Sequence, residues 1–178
     1  MKVPNAEHGV VDIRKLRDYC LNPLHDDGKH MNLVGGITEK GKETMEPNLN
    51  DRQFRATAPY FVVRNLKESV TYYHRALGFN MPELWGEPPS FAMPSRDGFI
   101  IMLKQAEQGV KITTSRDQSG FWDAYIWINN ADVLFSEFKE NGALIAYEPC
   151  IQREYDMKEF AVRDPDGYVI AFGEHYKI

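Results

Sequence analysis

The chain has 178 residues, 43% hydrophobic and 26% charged, with a net charge of −5 and a pI near 5.6. That length is enough for one well-packed domain plus an appendage, and the composition is that of an ordinary globular protein. An acidic balance without a dense Lys/Arg stripe argues against nucleic acid as a partner, and no apolar run is long enough for a membrane span.

The first residues, Met1 to His8, turn polar at once and lack the apolar core of a secretory signal. Cys20 and Cys150 lie far apart without metal-ligand spacing, which reads as two reduced thiols in a cytoplasmic protein. Asp12 can cap a helix whose Ile13, Leu16 and Cys20 share one face, with Asn22-Pro23 as its stop. From His25 to about Gln53 the sequence is polar and aperiodic. There His25-Asp26-Asp27-Gly28-Lys29-His30 reads as a solvated loop in preference to a metal site. Residues 1–55 are therefore expected to be a helical arm and linker.

From Ala56 the pattern is dense. Ala58 to Arg64 reads as a strand. Asn65 caps a helix with Glu68 three residues on, Leu66, Val70, Tyr73 and Leu77 follow at helical spacing, and Gly78 stops it. Strands are expected near Asn80–Trp85, Ser90–Met93 and Phe99–Lys104. Tyr125–Asn130 is then a second strand entering a cap, Leu134, Phe135 and Phe138 give a second helical face, and Asn141-Gly142 ends it. Strands fit Leu144–Glu148, Lys158–Val162 and Tyr168–Gly173.

The order is a repeat. Tyr60–Asn65 maps onto Tyr125–Asn130 at an offset of 65 residues, and Arg96–Leu103 maps onto Pro165–Phe172 at an offset of 69. Two tandem βαβββ modules account for both. Strand alternation then separates two faces. Phe61, Val63, Ile101, Leu103, Ile126, Ile128, Ile170 and Phe172 are uniformly apolar and belong under the helices. The other face is mixed, with Ala58, Tyr60, Val62, Ile100, Met102, Lys104, Asp123, Tyr125, Trp127, Val169 and Ala171. Such a face lines a small, partly apolar ligand, or packs against the other repeat or a second subunit.

With the repeat in hand, "NLKESVTYYHRALGF", "DAYIWINN" and "EYDMKEFAVRDPDGYVIAFGE" make residues 56–176 resemble the vicinal oxygen chelate superfamily of glyoxalases, bleomycin-resistance proteins and extradiol dioxygenases. The bleomycin-resistance type is the most similar. The resemblance implies an α+β fold of two βαβββ modules forming a cup-shaped mixed sheet over residues 56–178, with the helical arm in front. It implies a homodimer as well. Metal-dependent members use one residue from the first and last strands of each repeat, normally His or Glu. Carried onto this chain those positions are Ala58, Met102, Asp123 and Ala171, which leaves no set of hard donors for a divalent ion.

The expectation is therefore a metal-independent protein without cofactor or catalytic residue that sequesters an aromatic or cationic compound. Its ligand residues would be Tyr60, Trp85, Phe91, Met102, Asp123, Tyr125, Trp127, Tyr155 and Glu159. For Asp123 the alternative is a strand-start residue, solvated or paired with Lys104. For Tyr60, Tyr125 and Trp127 it is packing between modules, and for Trp85 an exposed hairpin or dimer contact. Glu159 stands at the Glu of the family's Arg-Glu-Phe motif, with Lys158 in place of the Arg and Tyr155-Asp156 in place of an aromatic-Gly pair. The alternative function is a divergent glyoxalase- or dioxygenase-like metalloenzyme. A third reading is a module whose mixed face is only an interface.

Overall fold

Residues 53, 56–118 and 120–176 are described by a computed structural model. The expected helix after Asp12, the linker, the His25–His30 stretch and Cys20 lie outside the described residues. From Tyr60 onward the chain runs β1 (Tyr60–Val63), α1 (Leu66–Leu77), β2 (Leu84–Trp85), β3 (Phe91–Ala92), β4 (Ser95–Arg96), β5 (Phe99–Ile100) and β6 (Met102–Gln105). A short 3₁₀ turn at Arg116–Gln118 leads into β7 (Ala124–Trp127), α2 (Ala131–Glu140), β8 (Leu144–Gln152), β9 (Met157–Arg163) and β10 (Val169–His175). The strands form two four-stranded mixed sheets, one per module, in the orders β1-β6-β3-β2 and β7-β10-β9-β8. This is the expected pair of βαβββ modules. The register carries the repeat into three dimensions, because Tyr60 lies opposite Met102 in one module and Tyr125 opposite Ala171 in the other.

Each helix begins and ends where its chemistry requires. Asn65 Oδ1 accepts from the Glu68 amide, and Gly78 closes α1 at φ +67°. Asn130 Oδ1 caps α2 through the Val133 amide. The apolar face foreseen for α1 is buried at Leu66, Val70, Tyr73 and Leu77. Beneath the helices Phe61, Val63, Ile101, Leu103, Ile170 and Phe172 are buried, with Ile126 and Ile128 packed against them. Phe138 of α2 meets Phe160 and Phe172 edge to face, and each such side chain contributes roughly 1.5–3 kcal/mol by leaving water.

The expected strand Phe99–Lys104 is divided. Asp97 and Gly98 both take positive φ, +51° and +81°, the signature of a two-residue hairpin turn. This folds β5 back onto β4 alone, and pairing with β1 and β3 starts only at Met102. Arg96, beside that turn, ties the modules together. Its guanidinium takes both Glu137 carboxylate oxygens on α2, at 2.7 and 2.9 Å, and donates to the Leu77 carbonyl that ends α1.

The matching turn between β9 and β10 is buried. Asp164 Oδ1 accepts from the amides of Asp166 and Tyr168, each at 2.9 Å, and Oδ2 accepts from the Tyr73 hydroxyl of α1. Asp166 accepts from the Arg64 amide and the Ser69 hydroxyl. The Tyr168 hydroxyl donates to the Val62 carbonyl and accepts from its amide, while its ring stacks on Phe61 at 4.3 Å.

Burial, reinforced by neighbouring Asp166 and opposed by these hydrogen bonds, pushes the Asp164 carboxyl up to about 6 from 3.8. A carboxyl raised on folding favours the protonated native state, so its contribution is complete below pH 4 and is lost as pH rises through 6. The two-unit shift corresponds to about 3 kcal/mol. Denaturant unfolding at pH 4.5 and 7 is expected to show this decline in the wild type. Asp164→Asn keeps an acceptor for the two amides and should flatten the slope across that window.

Candidate functional site

The faces away from the helices are built differently in the two modules. In the first, Tyr60, Phe91 and Trp85 form a ladder of rings with centroids 6.5 and 5.6 Å apart. Trp85 and Phe91 are buried, whereas Tyr60 is 56% exposed. Met102 lies opposite Tyr60 and Lys104 opposite Phe91 on that face. Three of the expected ligand residues therefore form one aromatic cluster, with Met102 beside it.

In the second module the centre is Glu159, only 1% exposed. Its Oε2 accepts from the Tyr125 hydroxyl at 2.9 Å. Its Oε1 accepts from the hydroxyls of Tyr147 and Tyr155 at 3.0 and 3.1 Å, and from Gln152 Nε2 at 3.3 Å. A buried carboxylate is tolerated when donors replace its lost water, and here four side chains from two strands and a turn do so. Tyr147 in turn accepts from the Trp122 indole N–H at 3.0 Å.

Burial, with Glu159 adding to it, pushes up the phenols of Tyr125, Tyr147 and Tyr155; for Tyr155 the value reaches about 12. For Tyr147 the Trp122 hydrogen bond works in the opposite direction. Burial, again with Glu159 adding, also raises the Cys150 thiol, so nothing activates it as a nucleophile.

Small residues make the arrangement fit. Ala161, Val169 and Ala171 form the floor on which Trp122, Tyr125 and Tyr147 lie. Tyr125 reaches Glu159 by crossing β10 above Gly173, where a Cβ atom would come within 1.9 Å of the phenol oxygen. Trp127 follows Tyr125 with centroids 5.4 Å apart and is 71% exposed.

Tyr125, Tyr155 and Glu159 are thus brought together, with Trp127 beside them. Asp123 stands apart, its two oxygens accepting from the amides of Ser115 at 2.6 Å and Val169 at 2.8 Å. It makes no ion pair with Lys104. Lys158 faces the helix side and pairs with Asp132. Tyr147, Gln152, Trp122 and Gly173 were not singled out from the sequence. A surface depression of about 420 Å³, lined by Arg64 and Gln105–Val110, shares no residue with either cluster.

The positions at which the resemblance implies metal corners are Ala58, Met102, Asp123 and Ala171. The single carboxylate among them is committed to backbone amides. Among the described residues no three His, Cys, Asp or Glu side chains come together in a way that could hold an ion. The residues present do not fit a chelated divalent metal.

A family model described as the Glyoxalase/Bleomycin resistance protein/Dioxygenase superfamily matches residues 54–172. The chain belongs to that superfamily. Solved structures agree at the level of fold. A glyoxalase-related enzyme from Clostridium phytofermentans is 16% identical, covering 71% of this chain and 98% of its own, with a TM-score of 0.56. A glyoxalase/bleomycin resistance protein/dioxygenase from Alicyclobacillus acidocaldarius is 16% identical over 74% and 96%, with a TM-score of 0.53. UcmS2 is 14% identical over 67% and 98%, with a TM-score of 0.50. No curated protein matches. No helix among the described residues is long and apolar enough to cross a membrane.

Two substitutions probe the Glu159 cluster. Gly173→Ala should push the Tyr125 phenol off Glu159 and cost about 1–3 kcal/mol in denaturant unfolding, the scale of a buried polar group losing its partner. Glu159→Gln removes the negative charge but not the burial, so the Tyr155 phenol should titrate below its wild-type value of about 12 while staying above 10 when followed by ultraviolet absorbance.

Proposed function

We propose that the chain is a metal-independent small-molecule-binding member of its superfamily, of the bleomycin-resistance kind, which sequesters an aromatic or cationic compound by occupancy alone. One observation carries the reading. The four corner positions offer a single carboxylate, Asp123, and both of its oxygens are already taken by main-chain amides. Where a chelating relative would present donors, this chain presents Ala171 under Tyr125 and Met102 beside Tyr60.

The surface left on that face is aromatic. Tyr60 and Trp127 expose most of their rings while their neighbours hold them in place. Rings of this kind stack on planar ligands and attract cations through their negative faces, at about 0.5–2 kcal/mol per contact. Glu159 adds negative potential behind Tyr125 without presenting a free oxygen. The same exposed rings suit a second copy of the chain across the ligand, so a homodimer belongs to this proposal.

Elemental analysis of purified protein, paired with tryptophan fluorescence titration against planar aromatic compounds before and after chelator dialysis, tests the reading. Saturable quenching with an unchanged midpoint after dialysis is expected. One tightly held transition ion per chain, or binding abolished by the chelator, would favour the metalloenzyme reading and sink this one.

A further inference from the structure

The face that carries Glu159 also carries a cationic side chain, which the reading above does not use. Alternate residues of β9 point to that face, so Arg163 follows Glu159 and Ala161 along it. Its cross-strand neighbours are Val169 on β10 and Leu144 on β8. Val169 belongs to the floor on which Trp122 packs, so Arg163 borders the aromatic surface.

The Nε atom of Arg163 is buried and has no hydrogen-bond partner. Among the described residues no carboxylate forms an ion pair with it. The acid just before β7, Asp123, is spent on the amides of Ser115 and Val169. At the other end of the face Glu159 is surrounded by donors. Both acids on the face are therefore satisfied, whereas the buried Nε of its arginine is not.

A buried donor without an acceptor is uncommon in a folded protein and is costly to keep. A guanidinium has donors only, arranged in a fork that matches the paired oxygens of a carboxylate or phosphate. What is missing at Arg163 is thus an oxyanion, and it is missing beside a surface suited to rings.

We propose that Arg163 anchors an oxyanion, a carboxylate or phosphate, carried by a ligand whose aromatic body lies on the Trp122 side of the same face. This rests on the binding function proposed above and narrows it to planar compounds bearing an acidic group.

Fluorescence titration of the full-length protein with 2-naphthoate, 2-naphthyl phosphate and uncharged 2-naphthamide tests it, in the wild type, Arg163→Met and Arg163→Lys. The wild type is expected to bind at least one acid about tenfold or more tightly than the amide, and the preferred acid identifies the group. Arg163→Met should erase that preference and leave naphthamide binding in place. Arg163→Lys, which keeps charge but loses the fork, should weaken the preferred acid at least threefold relative to the amide, and it decides the matter if the Met variant does not fold.

Acid binding unchanged in the variants, or no preference for either acid in the wild type, overturns the role of Arg163 while leaving aromatic binding standing. A wild type that binds none of the three probes overturns both.

Discussion

The turn from Asp164 to Tyr168 is the constraint on which the two modules depend. It places two carboxylates and a phenol where water does not reach them, and most of their partners lie about a hundred residues earlier in the chain. Asp166 is satisfied by the amide of Arg64 and the hydroxyl of Ser69, Asp164 in part by Tyr73, and Tyr168 by the two main-chain groups of Val62. A buried acid without these donors would cost several kcal/mol. The turn is therefore stable only when β1 and α1 are already in place. It also occupies backbone groups on the outer edge of β1 that would otherwise be open to another strand. Arg96 makes the reciprocal contact from the first module to α2. Each module thus supplies polar groups that the other needs, which explains how a duplicated unit becomes one folded body.

The sheet chemistry follows from that anchoring. Once β10 is held, its inner residues Ala171 and Gly173 set how closely a side chain from β7 can approach the sheet. At these positions a larger or donor-bearing residue would stand up from the face. Alanine and glycine instead let Tyr125 lie down across the strand and reach Glu159. The small side chain at position 171 and the phenol–carboxylate network at Glu159 are consequently two aspects of one packing solution. A larger side chain at 171 or 173 would compete with the Tyr125 ring for the surface it packs on.

Much of this was legible in the sequence because it is periodic or local. Asn65 and Asn130 announce their helices by capping chemistry, and the apolar alternation of β1, β6, β7 and β10 separates the two faces correctly. What was not legible depends on irregularity. In β8 the pairing passes from Ile145 opposite Val162 to Tyr147 opposite Ala161, and then to Cys150 opposite Glu159. These extra residues are bulges, and each one breaks the two-residue period by which a face is assigned. Tyr147 and Gln152 were missed for that reason. Asp97-Gly98 and Asp166-Gly167 look alike as strings yet serve an exposed hairpin and a buried junction. The difference lies in Asp164, whose side chain binds the second turn from within. Asp123 was weighed for a ligand because of its repeat position, whereas its carboxylate closes the loop at Ser115 onto β10. Local sequence does not say which amides will come within reach of a carboxylate.

The distribution of satisfied and unsatisfied charge bears on how such a face discriminates. Glu159 is the more conspicuous residue, but with four donors around it a ligand gains little by approaching, because any new hydrogen bond must displace an existing one. Its effect is to hold three phenols in fixed orientations and so to shape the aromatic wall. Discrimination among ligands comes instead from a group whose free energy changes most on binding, and an unpaired donor is such a group, since its deficit is relieved only by the correct partner. On this face that group is Arg163. Rings supply contact area for many planar molecules at similar strength, and a lone guanidinium at their border divides those molecules by charge. Affinity and selectivity would then reside in different residues of the same sheet, the first in rings held flat by small neighbours, the second in a cation one of whose buried donors the fold leaves without a partner.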